Sequence, residues 1–280
     1  MNLSIRGVTK EFEARQGKLL ALQETSLEIK SGEFVCLVGP SGCGKTTLLN
    51  LVAGLEKPTR GEIWRDGDRI VTGPGSDRVV IFQEAALFPW LNVIQNIEFG
   101  LVHRMEAKKR REITRTFLNL VHLGRFEKSY VHELSGGMKS RVAIARALAL
   151  NPAVLLMDEP FAALDAQTRG ILHEELQDIW LKTRQTILFV THNVREAVRL
   201  ADRVIVFTAR PGHIKKEFRI DKTRPRDLED PAWPAPYIQL VQNELREEIE
   251  KFLQQEVDPG WKLKKAEFLR PAGIDLGSGI

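Results

Sequence analysis

Three things are scarce in this 280-residue sequence: long apolar runs, cysteines and an excess of charge of one sign. No stretch approaches the roughly 18 consecutive apolar residues of a membrane-spanning helix, so none is predicted. Residues 1–6 also lack the basic start and apolar block of a secretory signal. We therefore expect the chain to stay in the cytosol unless a partner recruits it to a membrane.

The low cysteine count and mild net charge exclude further classes of protein. The two cysteines, Cys36 and Cys43, lie close together beside one glycine-rich turn. We expect no structural disulfide, which fits a reducing compartment. A net charge of +4 gives no reason to expect a nucleic-acid partner. With 43% apolar and 28% charged residues, the composition is that of an ordinary globular protein.

The most informative segment covers residues 34–50. Five apolar residues, 34–38, predict a buried strand, a glycine-rich turn follows, and a helix begins at Thr46. Glycine lets successive backbone N–H groups approach phosphate oxygens at the positive end of that helix. Lys45 is expected to reach the β- and γ-phosphates and the Thr46 hydroxyl to bind Mg²⁺. The residues expected to line a nucleotide are Gly39, Pro40, Ser41, Gly42, Cys43, Gly44, Lys45, Thr46 and Thr47. From its place in this loop, Cys43 is expected to react with a maleimide unless ATP covers it.

A second anion-binding segment occurs at residues 134–138. Ser135, Gly136 and Gly137 stand at the start of a helix that is rich in Ala and Leu and is stopped by Asn151 and Pro152. Exposed N–H groups and the helix dipole favour an anion there. One nucleotide cannot easily use both helix starts within one domain. The pair of segments therefore hints at a dimer.

Two adjacent carboxylates follow a fully apolar strand at residues 153–157. Because neighbouring strand residues point to opposite sides, Asp158 and Glu159 are expected to have separate tasks. Asp158 suits the Mg²⁺ site, either by direct ligation or from its second shell. Glu159 suits a general base that polarises water.

Two further polar residues are expected at the ends of strands. His192 follows the apolar strand 186–190, where an imidazole could sense the γ-phosphate. Gln83 follows the strand 79–82, which we expect to run beside the strand 34–38. An amide at that place could reach the metal or the attacking water. A lone His or Gln is more often structural, so position alone supports these roles.

Two apolar features of the sequence each allow two interpretations. Phe12, which precedes a polar loop between strands predicted at 2–8 and 25–30, either stacks on an adenine or is an ordinary packing residue. The cluster at residues 87–91 either forms a surface for a partner or packs within the chain.

Taken in order, these features resemble the ATP-binding subunit of ABC transporters over about residues 1–220. The matching segments are Gly39–Thr46, Gln83, Leu134–Met138, Val154–Glu159, Ala163–Asp165 and His192. The resemblance implies an α/β fold with a P-loop NTPase (RecA-like) core, an antiparallel β subdomain and a helical signature subdomain over residues 84–152. It also implies ATP and Mg²⁺ as cofactors.

The resemblance implies roles for residues that the motifs alone leave open. Ser135, Gly136 and Gly137 would bind the γ-phosphate of ATP held by a partner subunit, so that two head-to-tail subunits enclose two ATP molecules. Asp165 would lie at the dimer seam, and Phe12 would stack on the adenine. Met138 stands where the family commonly has Gln. We expect activity to survive, because the serine and the glycines make the phosphate contacts.

Four segments look like the importer branch that serves taurine, alkanesulfonates, nitrate and bicarbonate. They are residues 73–78, 82–91, 210–214 and 224–226. In such importers, the region of residues 87–91 lies near the groove that receives the coupling helix of the membrane subunit. The implied partners are integral-membrane permease subunits, a second identical or related ATPase subunit and, indirectly, a solute-binding protein. The implied location is the cytoplasmic face of the membrane.

Other P-loop proteins fit the sequence less well. A mechanical ABC-type ATPase acting on nucleic acid or ribosomes usually joins two ATPase units or inserts long coiled coils, and this chain does neither. A P-loop kinase or GTPase would leave residues 134–138 unexplained.

Beyond the ATPase domain we expect a Pro-rich arm and an amphipathic helix over 221–256. Its apolar face must dock on another surface and consists of Ile238, Val241, Leu245, Ile249 and Leu253. Residues 257–280 show no period, which is typical of a disordered tail.

Overall fold

The computed structural model describes residues 1–14, 17–69, 73–224, 226, 230 and 232–256. The strands are β1 Leu3–Ala14, β2 Gly17–Ile29, β3 Phe34–Val38, β4 Arg60–Arg65, β5 Asp68–Arg69, β6 Arg78–Ile81, β7 Val154–Asp158, β8 Thr186–Val190, β9 Arg203–Phe207 and β10 Ile214–Arg219. The α-helices are α1 Lys45–Ala53, α2 Val93–Glu98, α3 Ala107–Leu120, α4 Gly136–Ala149, α5 Ala166–Thr183, α6 Val194–Leu200 and α7 Ala235–Glu256. No helix among the described residues is long and apolar enough to cross a membrane.

A six-stranded sheet forms the core, in the order β10-β9-β3-β8-β7-β6. All neighbouring strands in it are parallel except β10, which runs antiparallel to β9. Every residue of β3, β7 and β8 is buried, as expected where helices cover both faces of a parallel sheet. Because parallel strands end at the same edge, the turns that follow these three strands meet there.

The neighbour predicted for the strand that precedes Gln83 is wrong. This strand, β6, lies at the edge of the sheet and pairs with β7, whereas the neighbours of β3 are β8 and β9. The two strands that come later in the chain, β7 and β8, insert between β3 and β6. Sequence order therefore misplaces β6 by two positions.

The second sheet is antiparallel, in the order β2-β1-β4-β5. Strands β1 and β2 form a hairpin longer than the short strands expected from the sequence, and Phe12 lies within β1 opposite Leu19 of β2. A two-residue turn at Asp66 and Gly67 joins β4 to β5, and Asp-Gly is a common sequence in such hairpin turns.

Helices α2, α3 and α4 form a helical layer beside the core sheet, with Val142, Ile144 and Leu148 of α4 buried. The basic run at residues 108–111 lies on α3. Three of its four side chains are exposed, as is usual for a run of basic residues on a helix, while Arg110 is partly covered and pairs with Glu98 at 3.5 Å.

The amphipathic helix predicted near the end of the chain is present as α7. Ile238, Val241 and Leu245 are buried, and α7 contacts α6, β9 and β10. Ile249 and Leu253 are exposed, so the apolar stripe of α7 extends beyond the surface that it covers within this chain. The tail predicted at 257–280 lies outside the described residues.

Candidate nucleotide-binding and catalytic site

The loop from Gly39 to Gly44 joins β3 to α1. Gly42 and Gly44 have φ values of +70° and +97°, a left-handed conformation that favours glycine. Gly44 also precedes the first residue of α1 and offers no side-chain cap. The N–H groups of the first turn of α1 therefore remain available to an anion.

The ammonium group of Lys45 lies inside the curve of this loop. Its Nζ donates to the carbonyl oxygens of Gly39 at 2.9 Å and Pro40 at 2.8 Å, and the side chain is buried. Neutral carbonyls hold the charge at the place where a phosphate would be bound. An incoming phosphate oxygen could replace them as hydrogen-bond acceptors.

The sequence led us to expect an accessible thiol at Cys43, but the structure buries it. The residue is 1% exposed, and its Sγ lies 3.6 Å from Lys45 Nζ on the inner side of the loop. Burial raises the pKa of the thiol, although the adjacent Lys45 acts in the opposite direction. A buried, protonated thiol is a poor nucleophile.

We therefore expect Cys43 to resist maleimide in the native protein, with or without ATP. Cys36 is buried in β3 and the pKa of its thiol is also raised by burial, so it should behave in the same way. Mass spectrometry after labelling should show an unmodified native chain and two labels on the chain unfolded in urea. Rapid labelling of native Cys43 that ATP prevents would contradict this placement.

A cavity of about 250 Å³ opens beside the loop. Phe12 and Leu19 of the β1–β2 hairpin line one side, and Lys45, Thr46 and Thr47 line the other. The ring of Phe12 lies 4.8 Å from Lys10 Nζ and is partly exposed. The fold thus places Phe12 at the P-loop, although 26 or more residues separate them in the sequence.

Thr46 and Asp158 meet at the edge of the sheet. Thr46 Oγ1 donates to Asp158 Oδ1 at 3.1 Å, which joins the start of α1 to the end of β7. Burial raises the pKa of Asp158, while the hydrogen bond from Thr46 lowers it. A hydroxyl and a carboxylate are hard oxygen ligands of the kind that hold Mg²⁺ together with phosphate and water. The residues present therefore fit a magnesium site.

Glu159 and His192 form a second pair at the same edge. His192 Nδ1 lies 3.0 Å from Glu159 Oε2, a distance at which an imidazole N–H donates to a carboxylate. Glu159 lies just beyond β7 with a φ of +45°, and its N–H donates to Val190 O at 2.9 Å. Glu159 is therefore placed by a left-handed turn after the end of β7. The alternation of side chains along a strand, which the sequence suggested, does not set its position. Beside this pair lies a cavity of about 40 Å³, which is large enough for water.

A buried network that the sequence did not reveal supports this pair. Glu196 Oε1 lies 2.7 Å from His173 Nε2, and Glu196 Oε2 accepts a hydrogen bond from Thr191 Oγ1. Thr191 in turn accepts from Asn193 N at 3.0 Å, which fixes the turn that carries His192. The available signal, a Glu on α6 and a His on α5, looks like ordinary helix surface until the fold buries both.

Gln83 is exposed just after β6. Its side chain makes no hydrogen bond to any residue in the described part of the chain, and so none to Asp158 or Glu159. Its role stays a prediction.

Residues 135–137 lie outside both cavities. Ser135 caps α4 by accepting from Met138 N at 3.3 Å, and a side chain added at Gly136 would meet nothing within 4 Å. None of these three residues lines the cavity beside the P-loop or the cavity beside Glu159. Asp165 caps α5 by accepting from Thr168 N at 2.9 Å, and the hydrogen bonds from Thr168 lower the pKa of its exposed carboxyl.

The sequence profile of the ABC transporter family matches residues 22–162. The chain belongs to this family. Membership of this family explains why the P-loop, the segment 134–138 and the acidic end of β7 follow one another in this order along the chain.

Curated relatives cover most of this ABC protein. An uncharacterised ABC transporter ATP-binding protein of Methanocaldococcus jannaschii is 49% identical, over 91% of this chain and 95% of the relative. A nitrate import ATP-binding protein of Synechocystis is 51% identical, over 82% and 86%. An aliphatic sulfonates import ATP-binding protein of Bacillus thuringiensis is 45% identical, over 81% and 89%.

Solved ABC cassettes share the fold. A dimeric bacterial ABC transporter cassette superposes with a TM-score of 0.73 at 33% identity, over 79% of this chain and all of the other. The same cassette, in a dimeric post-hydrolysis state with ADP and Pi bound, superposes equally well. The prediction of an α/β P-loop NTPase core with a helical part is thus confirmed.

Proposed function

We propose that this ABC protein is the ATP-hydrolysing subunit of an importer for a small anion of the nitrate, sulfonate, taurine or bicarbonate class. The observation that carries the proposal is the meeting of Thr46, Asp158, Glu159 and His192 at the edge of the sheet beside the P-loop. The relatives named for nitrate and sulfonate import support the solute class. The chain would bind permease subunits at the cytoplasmic face of the membrane and serve a solute-binding protein indirectly.

Nucleotide binding would use both sides of the P-loop cavity. The ring of Phe12 stacks on the adenine, and the N–H groups of residues 41–47 hold the phosphates. Lys45 exchanges the carbonyls of Gly39 and Pro40 for oxygens of the β- and γ-phosphates. Thr46 and Asp158 would hold Mg²⁺, with Gln83 reaching it as the site closes. When bound, Mg²⁺ would neutralise charge on the phosphates.

Hydrolysis would use the second pair. Glu159 accepts a proton from a water molecule in the adjoining cavity as the water oxygen bonds to the γ-phosphorus and the bond from that phosphorus to the β–γ bridging oxygen breaks. His192 holds the Glu159 carboxylate by its Nδ1 hydrogen bond and extends its exposed ring toward the γ-phosphate. ADP and inorganic phosphate leave.

The site would be completed by a second copy of the chain. Ser135, Gly136 and Gly137, at the start of α4, would cover the γ-phosphate of ATP on the opposite subunit, with Asp165 at the seam between the copies. Two observations support this arrangement. These residues line neither cavity of their own subunit, and the similar cassettes are dimeric.

An apolar groove provides a surface for the membrane subunit. A cavity of about 330 Å³ lies between β6, Phe99 and α4, with Phe88 and Arg146 in its wall. The ring of Phe88 lies 4.3 Å from that of Phe99 and 5.6 Å from that of Trp90. Phe99 in the groove wall is 51% exposed and Trp90 beside Phe88 is 68% exposed, so the three rings form a contiguous apolar patch of the kind that marks an interaction surface. We infer that this groove receives a coupling helix of the permease.

The double variant Trp90→Ala and Phe99→Ala should weaken assembly with the permease. Truncation of one central interface aromatic typically costs about 2 kcal/mol or more, or roughly 30-fold in affinity. Affinity purification of the tagged chain with its permease from detergent should therefore recover much less complex. ATP hydrolysis by the isolated chain should be unchanged.

Phe126→Ala is the matched control, because Phe126 is 42% exposed and lies outside the groove. It should leave recovery of the complex unchanged. If the double variant recovers as much complex as the wild type, the groove does not dock the permease. Accumulation of nitrate or a sulfonate in vesicles that contain the complex, driven by ATP, tests the proposed function as a whole.

A further inference from the structure

Arg210 has no part in the mechanism above, yet it lies against the P-loop. Its Nε donates to Gly42 O at 3.3 Å, and a Cβ added to Gly42 would come within 2.7 Å of Arg210 Nη2. The guanidinium group therefore touches the loop that would carry the phosphates. Arg210 is 168 residues from Gly42 in the sequence.

Close packing against the loop and the β2 strand holds the turn that carries Arg210. A Cβ at Gly212 would lie 1.6 Å from Cys43 O, so only glycine allows the turn to approach the loop so closely. Gly212 O accepts from Gln23 N at 2.8 Å, and Gly212 N donates to Ala21 O at 3.3 Å. The turn is thus held between β2 and the P-loop. The position of Arg210 is a consequence of this packing.

Arg210 lines the same cavity of about 250 Å³ as Phe12, Leu19 and Thr47. No carboxylate in the described part of the chain lies within 4 Å of its guanidinium group. Its charge is therefore not neutralised by an ion pair there, and the N–H groups of both terminal nitrogens remain free to donate. A planar guanidinium with free donors is well suited to phosphate oxygens.

We propose that Arg210 binds the nucleotide directly, by donating hydrogen bonds to phosphate oxygens, and thereby sets the affinity of the site for phosphorylated nucleotides. This inference rests on the proposed nucleotide-binding function. It adds to the P-loop a charged group that comes from the turn after β9. The ligand contact is electrostatic, so it should depend on the charge at position 210 and on the phosphates of the ligand.

Calorimetric titration of the full chain with MgADP and with adenosine tests the proposal, because neither ligand is hydrolysed. Arg210→Ala and Arg210→Gln should each raise the Kd for MgADP roughly 10- to 100-fold, as expected for loss of a hydrogen bond to a charged group. Arg210→Lys keeps the charge and should lose much less. Binding of adenosine should change less than about threefold, since adenosine has no phosphate to contact.

The Gln variant separates ligand binding from support of the loop. Gln keeps an N–H donor for Gly42 O but removes the charge. If Arg210→Gln binds MgADP like the wild type while Arg210→Ala does not, Arg210 only braces the loop and the proposal is wrong. Wild-type affinity in all three variants would overturn it as well.

Two controls complete the experiment. Arg125→Gln removes an exposed arginine outside the cavity and should not change the affinity for MgADP. A melting temperature of Arg210→Gln close to the wild type shows that the fold is intact. If the wild type itself does not bind MgADP, the proposed function fails. If the wild type binds MgADP and the Arg210 variants bind it equally well, the role of Arg210 is overturned while the proposed function stands.

Discussion

Replacement of Glu159 by Gln should lower the rate of ATP hydrolysis by about 10²- to 10⁴-fold, the usual contribution of a general base. The amide has nearly the shape of the carboxylate but cannot accept the proton of the attacking water. Binding of ATP should stay close to the wild type, because the P-loop, Thr46 and Asp158 are unchanged. The hydrogen bond from His192 Nδ1 can persist to the amide oxygen.

Release of phosphate and calorimetric binding of ATP, measured on the same preparation, check this prediction. Glu174→Gln is the matched control, because Glu174 is an exposed carboxylate on α5 that lines neither cavity. It should hydrolyse ATP at the wild-type rate. Normal turnover by Glu159→Gln would remove Glu159 from the role of base.

Gly136→Asp should abolish turnover without harm to the subunit that carries it. A side chain at Gly136 meets nothing within 4 Å, and an acid in the first turn of α4 is favourable for the helix. In the dimer, however, the new carboxylate would face the γ-phosphate of the opposite ATP. Repulsion would keep the N–H donors of residues 135–137 from that phosphate, and loss of one such donor typically costs about 10²- to 10³-fold in rate. ATP binding by the P-loop of the isolated subunit should be unchanged.

Ala107→Asp places the same charge at the first residue of α3, which is exposed. It should keep wild-type turnover and so control for the effect of an added acid at a helix start. Turnover of Gly136→Asp within about threefold of the wild type, a change of less than about 1 kcal/mol, would mean that residues 135–137 do not take part in hydrolysis.

The sequence located the P-loop, β7 and β8 closely because their signals are local. Five-residue apolar runs bounded by turns define these strands, and the residues after them fall at the shared edge of a parallel sheet. Thr46 and Asp158 could therefore be placed together before the fold was known, and the structure finds them in contact at 3.1 Å.

The features that the sequence missed depend on contacts between distant segments. The position of β6 depends on strands that come later in the chain. The burial of the Cys43 thiol depends on how the P-loop curves around Lys45. Arg210 reaches Gly42 only because β2 and β9 bring the turn of Gly212 to the loop. Neither the periodicity of the sequence nor the motifs near these residues indicate such contacts.

We propose that residues 135–137 of a second copy of the chain complete the ATP site. Size-exclusion chromatography with light scattering on Glu159→Gln, with and without MgATP, measures whether the two copies come together on the nucleotide. We expect the 31.7 kDa chain to double in mass when MgATP is present, and Gly136→Asp in the same background to remain a monomer. A Glu159→Gln chain that binds MgATP yet stays monomeric would show that residues 135–137 of a second copy do not complete the site.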